Sequence, residues 1–215
     1  MNRRFFTLAI ACFLLMQSSA FAQSDDPPKF EVGGEFSTLE REALRTKRSE
    51  PGVGGRFTFN FNRAVAFETA AYFFPNQCGF CNADGTMTEV VAGVKVGKRF
   101  EKWGIFAKAR PGFVSFSRGD FNVTRITPGG PFPFELEVSR LTNFATDFGG
   151  VLEFYPSRRL VTRFDMGDTI VHFRQRTTNG VLFNPTTGEY FLIPVFRPAK
   201  NTHSFQFSAG VGFRF

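Results

Sequence analysis

The amino-acid sequence predicts an all-β chain that folds as an eight-stranded antiparallel up-and-down transmembrane β-barrel. Three observations favour this fold: the last eleven residues alternate between apolar and polar side chains, seven earlier segments do the same, and the connections between segments alternate in length. Phe contributes 32 of the 215 residues, yet the charged fraction is an ordinary 21% and the mean hydropathy is slightly negative. A membrane barrel reconciles these values, because each strand places half of its residues in lipid and half in a polar lumen.

The final segment, residues 205–215, has the clearest alternation. Its apolar face holds Phe205, Phe207, Ala209, Val211, Phe213 and Phe215, and its other face holds Gln206, Ser208, Gly210, Gly212 and Arg214. Strand side chains point alternately to two faces, and a tilted strand needs roughly 9–11 residues to cross the bilayer core. Because it ends on an aromatic residue, the segment resembles the closing strand of bacterial outer-membrane β-barrels. The resemblance implies that Phe215 is a signal read by the barrel-insertion machinery.

The first 22 residues have the pattern of a secretory signal peptide. Asn2-Arg3-Arg4 is basic, residues 5–16 are apolar, and Ala20-Phe21-Ala22 has the small-x-small form of a cleavage site. The apolar run is shorter than the roughly 20 residues of a spanning helix, which argues against an N-terminal membrane anchor. We therefore expect a signal peptide over residues 1–22, and one outer-membrane β-barrel domain over residues 23–215 in the cell outer membrane.

Eight strands are predicted by the alternation along the chain. They cover residues 30–38, 52–61, 64–74, 88–98, 103–116, 138–155, 160–170 and 205–215. Within the fifth, Pro111 removes a backbone donor, so we expect a bulge or a strand end near it.

The connections between these strands alternate between long and short. The long ones cover about 40–51, 75–87, 117–137 and 172–202, and the short ones cover 62–63, 99–102 and 156–159. Bacterial barrels have short periplasmic turns and longer outer loops, so we expect the four long connections outside the cell. A soluble lipocalin-like barrel or a β-sandwich is the alternative, and dependence on detergent after purification would distinguish the two.

A resemblance to a known family is carried by residues 147–168. A strand ends in the pair Phe154-Tyr155, the turn Pro156-Ser-Arg-Arg159 follows, and then come Arg163-Phe-Asp165 and Gly167-Asp168. This pattern resembles the penultimate hairpin of the outer membrane protein beta-barrel domain family, which is related to the OmpA transmembrane domain. The detailed motif covers about 22 residues. The resemblance implies a fold and a place in the Gram-negative cell envelope more than an activity.

Charged residues on the inward faces predict ion pairs inside the barrel. The predicted lumen pairs involve Glu68, Lys95, Lys108, Arg110, Asp147, Glu153, Arg163, Asp165 and Arg214. The interior of an eight-stranded barrel is just wide enough to be filled by side chains, and buried charges must be paired. We therefore expect a plugged lumen. A narrow channel gated by the same pairs is the alternative.

Two further groups of residues could carry chemistry. Cys78-Gly-Phe-Cys81 has redox or metal spacing, but zinc needs two more ligands, so we expect a disulfide between Cys78 and Cys81 in the second outer loop, no metal and no cofactor. Asp168, His172 and His203 lie near the outer rim, where a lipid-modifying enzyme or a protease would need such groups. A rim histidine is more often only solvated, so we predict a structural or interaction protein without catalytic residues.

Basic residues collect in the predicted outer loops. They are Arg41, Arg45, Lys47, Arg48, Arg118, Arg125, Arg174, Arg176, Arg197 and Lys200. Arg and Lys near the outer leaflet can pair with lipopolysaccharide phosphates, so outer-membrane lipid is a predicted partner, with ordinary solvation as the alternative. Nucleic-acid binding is not favoured, because the charges are spread over several loops of an exported chain. We expect a monomer.

Overall fold

A computed structural model describes residues 27–43, 46–76, 84–126 and 134–215 of the chain. In these residues the strands are β1 Phe30–Ala43, β2 Thr46–Asn60, β3 Val65–Phe74, β4 Asp84–Arg99, β5 Trp103–Ile126, β6 Phe134–Phe154, β7 Leu160–Phe173, β8 Arg176–Asn184, β9 Glu189–Arg197 and β10 Lys200–Arg214. No helix of the described part is long and apolar enough to cross a membrane. Cys78 and Cys81 lie outside the described residues.

Eight of these strands form a closed antiparallel barrel in the order β1-β10-β7-β6-β5-β4-β3-β2, which confirms the predicted fold class. The ring is closed by pairing of the first strand with the last, for example Phe36 with Ala209. Phe30 and Phe215 exchange backbone hydrogen bonds of 3.0 and 2.9 Å at the end of this seam. A closed barrel leaves no free edge, so every strand of the ring has a partner on both sides.

The barrel wall has an apolar outside and a mixed inside, because successive side chains alternate between the two faces. Phe36 and Val211 are 55% and 63% exposed on the outside. On the same two strands, Glu35 and Gln206 are buried on the inside. The alternation identified in the sequence therefore assigns these side chains to the faces that they occupy in the structure.

Several strands are longer than the sequence predicts. Residues 40–43 of the predicted first loop pair with residues 46–49 and belong to β1 and β2. β5 and β6 extend similarly from 116 to Ile126 and from 138 back to Phe134. The outward-facing apolar side chains, such as Phe36 and Val211, form a band around the barrel, which we call the apolar band. The extensions continue the ladder beyond this band and are polar, because they need no lipid-facing side chains. The amino-acid composition of these extensions therefore resembles that of loops, and on that basis the sequence predicts loops there.

The expectation of a bulge or a strand end near Pro111 is wrong. β5 runs unbroken through this residue, which is exposed and pairs with Thr146 of β6. On its other side, β4 and β5 keep one register through the pairs Val91 with Gly112 and Val94 with Ala109. Between these two pairs, β4 and β5 form no further residue pair. Pro111, which has no N–H to donate, therefore lies at a gap in the β4–β5 ladder. The register shifts of β5 lie farther up, beyond Phe116.

The fourth predicted loop contains a hairpin that the sequence did not reveal. β8 and β9 pair with each other outside the barrel, and their turn includes Gly188 at a φ of +71°. The hairpin packs against the extended part of β5. The backbone N–H of Asn179 donates to the Asn122 side chain at 2.8 Å, and Arg176 lies 3.2 Å from Asp120. Its strands were hidden because each lacks strict alternation.

Replacing Val211 by Arg should destabilise the barrel in a bilayer. Val211 is exposed on the outward face near the middle of residues 205–215, and an arginine at the bilayer midplane costs about 2–4 kcal/mol in a transmembrane barrel. Reversible urea unfolding in phospholipid vesicles measures the change. V211L is the matched control and should stay within about 1 kcal/mol of the wild type. Equal stability of V211R and V211L would mean that this face is not in hydrocarbon.

Candidate functional site

A network of buried charges fills the middle of the barrel, and Glu68 is its centre. Glu68 on β3 contacts Arg163 on β7 through both carboxylate oxygens, and the contact from Nη2 is 2.8 Å long. In the ring of eight strands, β3 and β7 are separated by three strands on either side. The contact therefore spans the full width of the barrel. Both side chains are completely buried.

Arg110 on β5 extends this network to the neighbouring wall. Its Nη1 donates to Glu68 at 2.6 Å, and its Nε donates to Asp147 of β6 at 2.7 Å. Lys108, two residues earlier on the same face, bridges Asp147 at 2.7 Å and Asp165 of β7 at 2.6 Å. Each carboxylate of this group thus meets more than one cation, as a buried charge requires.

Lys95 joins the network to the end of the barrel that carries the short turns. Its ammonium group donates to Glu153 and lies 4.0 Å from Glu68. Below it, Tyr155 donates to Glu153 at 2.9 Å and accepts from Arg99 at 2.9 Å. Burial, followed by the Glu153 carboxylate, raises the pKa of the Tyr155 hydroxyl, which therefore keeps its proton and acts as the donor.

Glu35 of β1 anchors the opposite wall. It accepts from Arg56 at 2.6 Å and from the Tyr72 hydroxyl at 2.6 Å, and Arg163 lies 3.7 Å away. Gly54, which pairs with Tyr72 across β2 and β3, lies directly under the ring. A side chain at position 54 would collide with this ring, so glycine makes the room that the tyrosine occupies.

The structure brings together eight of the nine residues that the sequence predicts as lumen ion pairs. These are Glu68, Lys95, Lys108, Arg110, Asp147, Glu153, Arg163 and Asp165. Arg214 is also buried, but it takes other partners among the described residues: its guanidinium lies 4.3 Å from the Tyr155 ring and donates to the Ser157 carbonyl at 3.1 Å. Among the described residues no carboxylate forms an ion pair with Arg214, although Glu31 pairs with it across β1 and β10 in the ladder.

An apolar layer lies above the charge network, on the side of the long connections. It is a cluster of buried side chains from most strands of the ring: Leu39, Ala70, Tyr72, Phe74, Met87, Val91, Val114, Phe116, Ala145 and Val171. Phe74 and Val114 are 0% exposed. Beyond this layer Arg41 donates to Glu50 at 3.0 Å and lies 5.0 Å from the Phe116 ring. Arg41 is thus an interior residue and not part of an outer loop.

Three interior groups were missed in the sequence. Arg99 had been assigned to a turn, Arg41 and Glu50 to a loop, and Tyr72 had not been assigned a role. Their positions follow the same parity as known inward residues: Arg99 is four residues after Lys95, and Tyr72 is four after Glu68. Extending the alternation past the apolar band would have identified them.

The rim histidines lie on the outward face of the barrel. His203 contacts Asp168 through Nδ1 at 2.6 Å, and the exposed residue Phe205 follows on the same face of β10. The neighbouring Ser204 is buried on the inside, so its hydroxyl does not meet this pair. His172 contacts Asn201 at 2.9 Å and stacks on Phe144. Among the described residues, no group of three His, Cys, Asp or Glu side chains could hold a metal ion.

Glu68→Gln should weaken the barrel strongly, since it leaves Arg110 and Arg163 short of a buried counter-charge. Breaking a buried pair costs about 3–5 kcal/mol. Urea unfolding in detergent micelles measures the loss.

Glu89→Gln is the matched control for that substitution. Glu89 is equally buried, but its hydrogen-bond partner is the Thr169 hydroxyl at 3.3 Å, which a glutamine can also meet. We expect a change of about 1 kcal/mol or less. Similar losses in E68Q and E89Q would contradict a dominant role for the ion pairs.

Comparisons with known proteins agree with this fold. A scan against protein-family models and a search of curated proteins found no match. The chain is similar to the solved structure of Neisserial surface protein A, with a TM-score of 0.53 and 11% identity over 87% of this chain and 97% of that chain. It is also similar to the outer membrane protein OprG from Pseudomonas aeruginosa, with a TM-score of 0.51 and 13% identity over 91% and 99% of the two chains. The chain therefore has the fold of the small eight-stranded outer-membrane barrels.

Proposed function

We propose that this chain is a small OmpA-like barrel of the outer membrane, with a structural or interaction role and a lumen plugged by ion pairs. The observation that carries the proposal is the contact of Glu68 with Arg163 across the whole width of the barrel. Side chains that meet in the centre leave the interior filled at this level. The fold shared with Neisserial surface protein A and OprG supports the proposed location in the outer membrane.

The apolar layer supports the plug independently. An ion that passed the charge network would next meet the level of Phe74, Met87 and Val114, where the buried side chains are hydrocarbon. Removing an ion from water without new partners is costly, so such a layer opposes conduction. A channel would require both layers to open together. The narrow-channel alternative thus requires side chains of both the charge network and the apolar layer to move, whereas a plugged lumen requires no movement.

The proposal includes an orientation and an export route. The short turns and both termini of residues 27–215 lie at one end, which we assign to the periplasm because bacterial barrels have short periplasmic turns. A signal peptide over residues 1–22 would deliver the chain. Phe215 is 60% exposed beside Phe30 and Phe213, so its ring is accessible to the insertion machinery.

The opposite end offers cations for lipopolysaccharide. Arg174 and Arg197 are exposed where the β8–β9 hairpin leaves the barrel, and Arg48, Arg118 and Arg125 are exposed on the strand extensions. Arginine pairs well with phosphate through several parallel hydrogen bonds. Lipopolysaccharide phosphates at the outer leaflet are therefore the proposed partners of this end.

The refolded protein should be silent in a planar bilayer. With the lumen filled, we expect no steady ohmic current steps at voltages at which a porin of known conductance, added to the same membrane as a positive control, conducts. Reproducible steps of one size from the wild-type chain would overturn the plugged-barrel proposal and favour the narrow channel.

Replacing Arg174 and Arg197 by Gln should weaken binding of lipopolysaccharide micelles. The loss should be several-fold, because each exposed ion pair contributes roughly 0.2–1 kcal/mol, and it should shrink at high salt. Surface plasmon resonance of the refolded chain measures it. K98Q removes an exposed charge near the other end, outside the concave sites of the barrel, and is the control. A loss per charge as large in K98Q as in the double variant would show non-specific attraction instead of contact at the outer end.

A further inference from the structure

A cavity of about 910 Å³ opens at the end of the barrel that carries the short turns. We call it the vestibule. Its wall is formed by the three short turns, by residues 27–29 before β1 and by the end of β10. The volume lies within the range of roughly 300–1,000 Å³ that small-ligand sites occupy. The vestibule borders the charge network at Arg99 and Tyr155, which contact Glu153, and it is separate from the apolar layer and from the exposed arginines of the outer end.

The lining of the vestibule is strongly basic. Seven of its fourteen residues are Lys or Arg, and one, Glu101, has an acidic side chain. Lys29, Lys102, Arg158 and Arg159 are exposed on the turns and around the entrance. Elsewhere in the barrel interior, cations and carboxylates are closely matched. An excess of cations around a concave site attracts anions and holds them.

Two arginines, Arg99 and Arg214, lie at the base of the vestibule. The guanidinium carbons of Arg99 and Arg214 lie 5.5 and 4.3 Å from the centroid of the Tyr155 ring, so both guanidinium groups pack against this tyrosine. Arg214 is 3% exposed. The Nε of Arg214 and the Nη1 of Arg99 have no hydrogen-bond partner among the described residues. Arg99 also lies 3.4 Å from Glu31 and 3.5 Å from Glu153, whereas no carboxylate of the described residues forms an ion pair with Arg214. Buried charges are normally paired, so the position of Arg214 favours an anionic ligand at the base.

We propose that the vestibule binds a ligand that carries two or more phosphate groups, with Arg99 and Arg214 at the base and Arg158 and Arg159 at the entrance. A phosphate supplies several strong acceptor oxygens and more charge than a carboxylate, which matches a cluster of cations better. The planar donors of arginine suit phosphate geometry. Two sources share this chemistry: a soluble oligophosphate of the periplasm, and an inner-leaflet lipid headgroup with two phosphates, beside Trp103 and Phe215 at the wall.

Titration calorimetry with sodium tripolyphosphate tests the proposal on residues 23–215 refolded in octyl glucoside, a detergent without phosphate. We expect one saturable site. R158Q/R159Q should lower the affinity about tenfold, because two charge-assisted contacts are lost at positions that are exposed and tolerate substitution. R174Q/R197Q, which removes the same charge at the outer end, should leave the affinity unchanged. No saturable binding, or equal losses in both double variants, would overturn the proposal.

Two further measurements separate the sources of phosphate and the chain's own acids. In nanodiscs of equal surface charge, a weaker tripolyphosphate affinity with cardiolipin, which carries two phosphates, than with phosphatidylglycerol would identify lipid headgroups as occupants, and equal affinities would identify a soluble ligand. Asp25 and Asp26 precede Pro27, which lines the vestibule. Binding that appeared only in D25N/D26N would mean that these acids occupy the site, which would overturn the proposal. None of these results depends on whether the lumen conducts.

Discussion

The contact between Glu68 and Arg163 is the constraint on which the rest of the interior depends. These residues lie on opposite walls of the ring, and their side chains meet in the middle because an eight-stranded barrel is no wider than two side chains. A charge placed there is shielded from bulk solvent, so it must be paired with other inward residues. Arg110 and Lys95 then share Glu68, and their own neighbours follow from the same requirement. The network is thus a single unit that ties non-adjacent strands together.

The interior is arranged in levels along the barrel axis, and each level has its own chemistry. The vestibule with Arg99 and Arg214 comes first, the network around Glu68 follows, and the apolar layer around Phe74 comes next. The two ends therefore differ: one presents a concave basic site, and the other presents extended strands and a hairpin with exposed arginines. A filled middle lets these ends act separately, because nothing has to pass between them.

How far the sequence could predict the site depended on how far its alternation was followed. Glu68, Lys95 and Arg163 were found because each lies inside a strand whose other face is apolar. Arg99 and Glu50 were missed because their neighbours are polar, although they keep the same parity. Beyond the apolar band, a polar strand and a loop look alike in composition. The β8–β9 hairpin was missed for the same reason, since no buried face imposes a pattern on it.

The sequence by itself determined the number of strands in the ring, the faces of the side chains within the alternating apolar segments and the kinds of charge that face inward there. These features follow from the period of two, which is a local property of extended backbone. The tertiary structure decided which charges meet. Glu68 and Arg163 are 95 residues apart, and only the closure of β1 on β10 sets them opposite each other. The tertiary structure also decided that Arg214 stacks on Tyr155 and lines a cavity. Cavities and pairings depend on distances between strands, and the pattern of a single strand does not contain these distances.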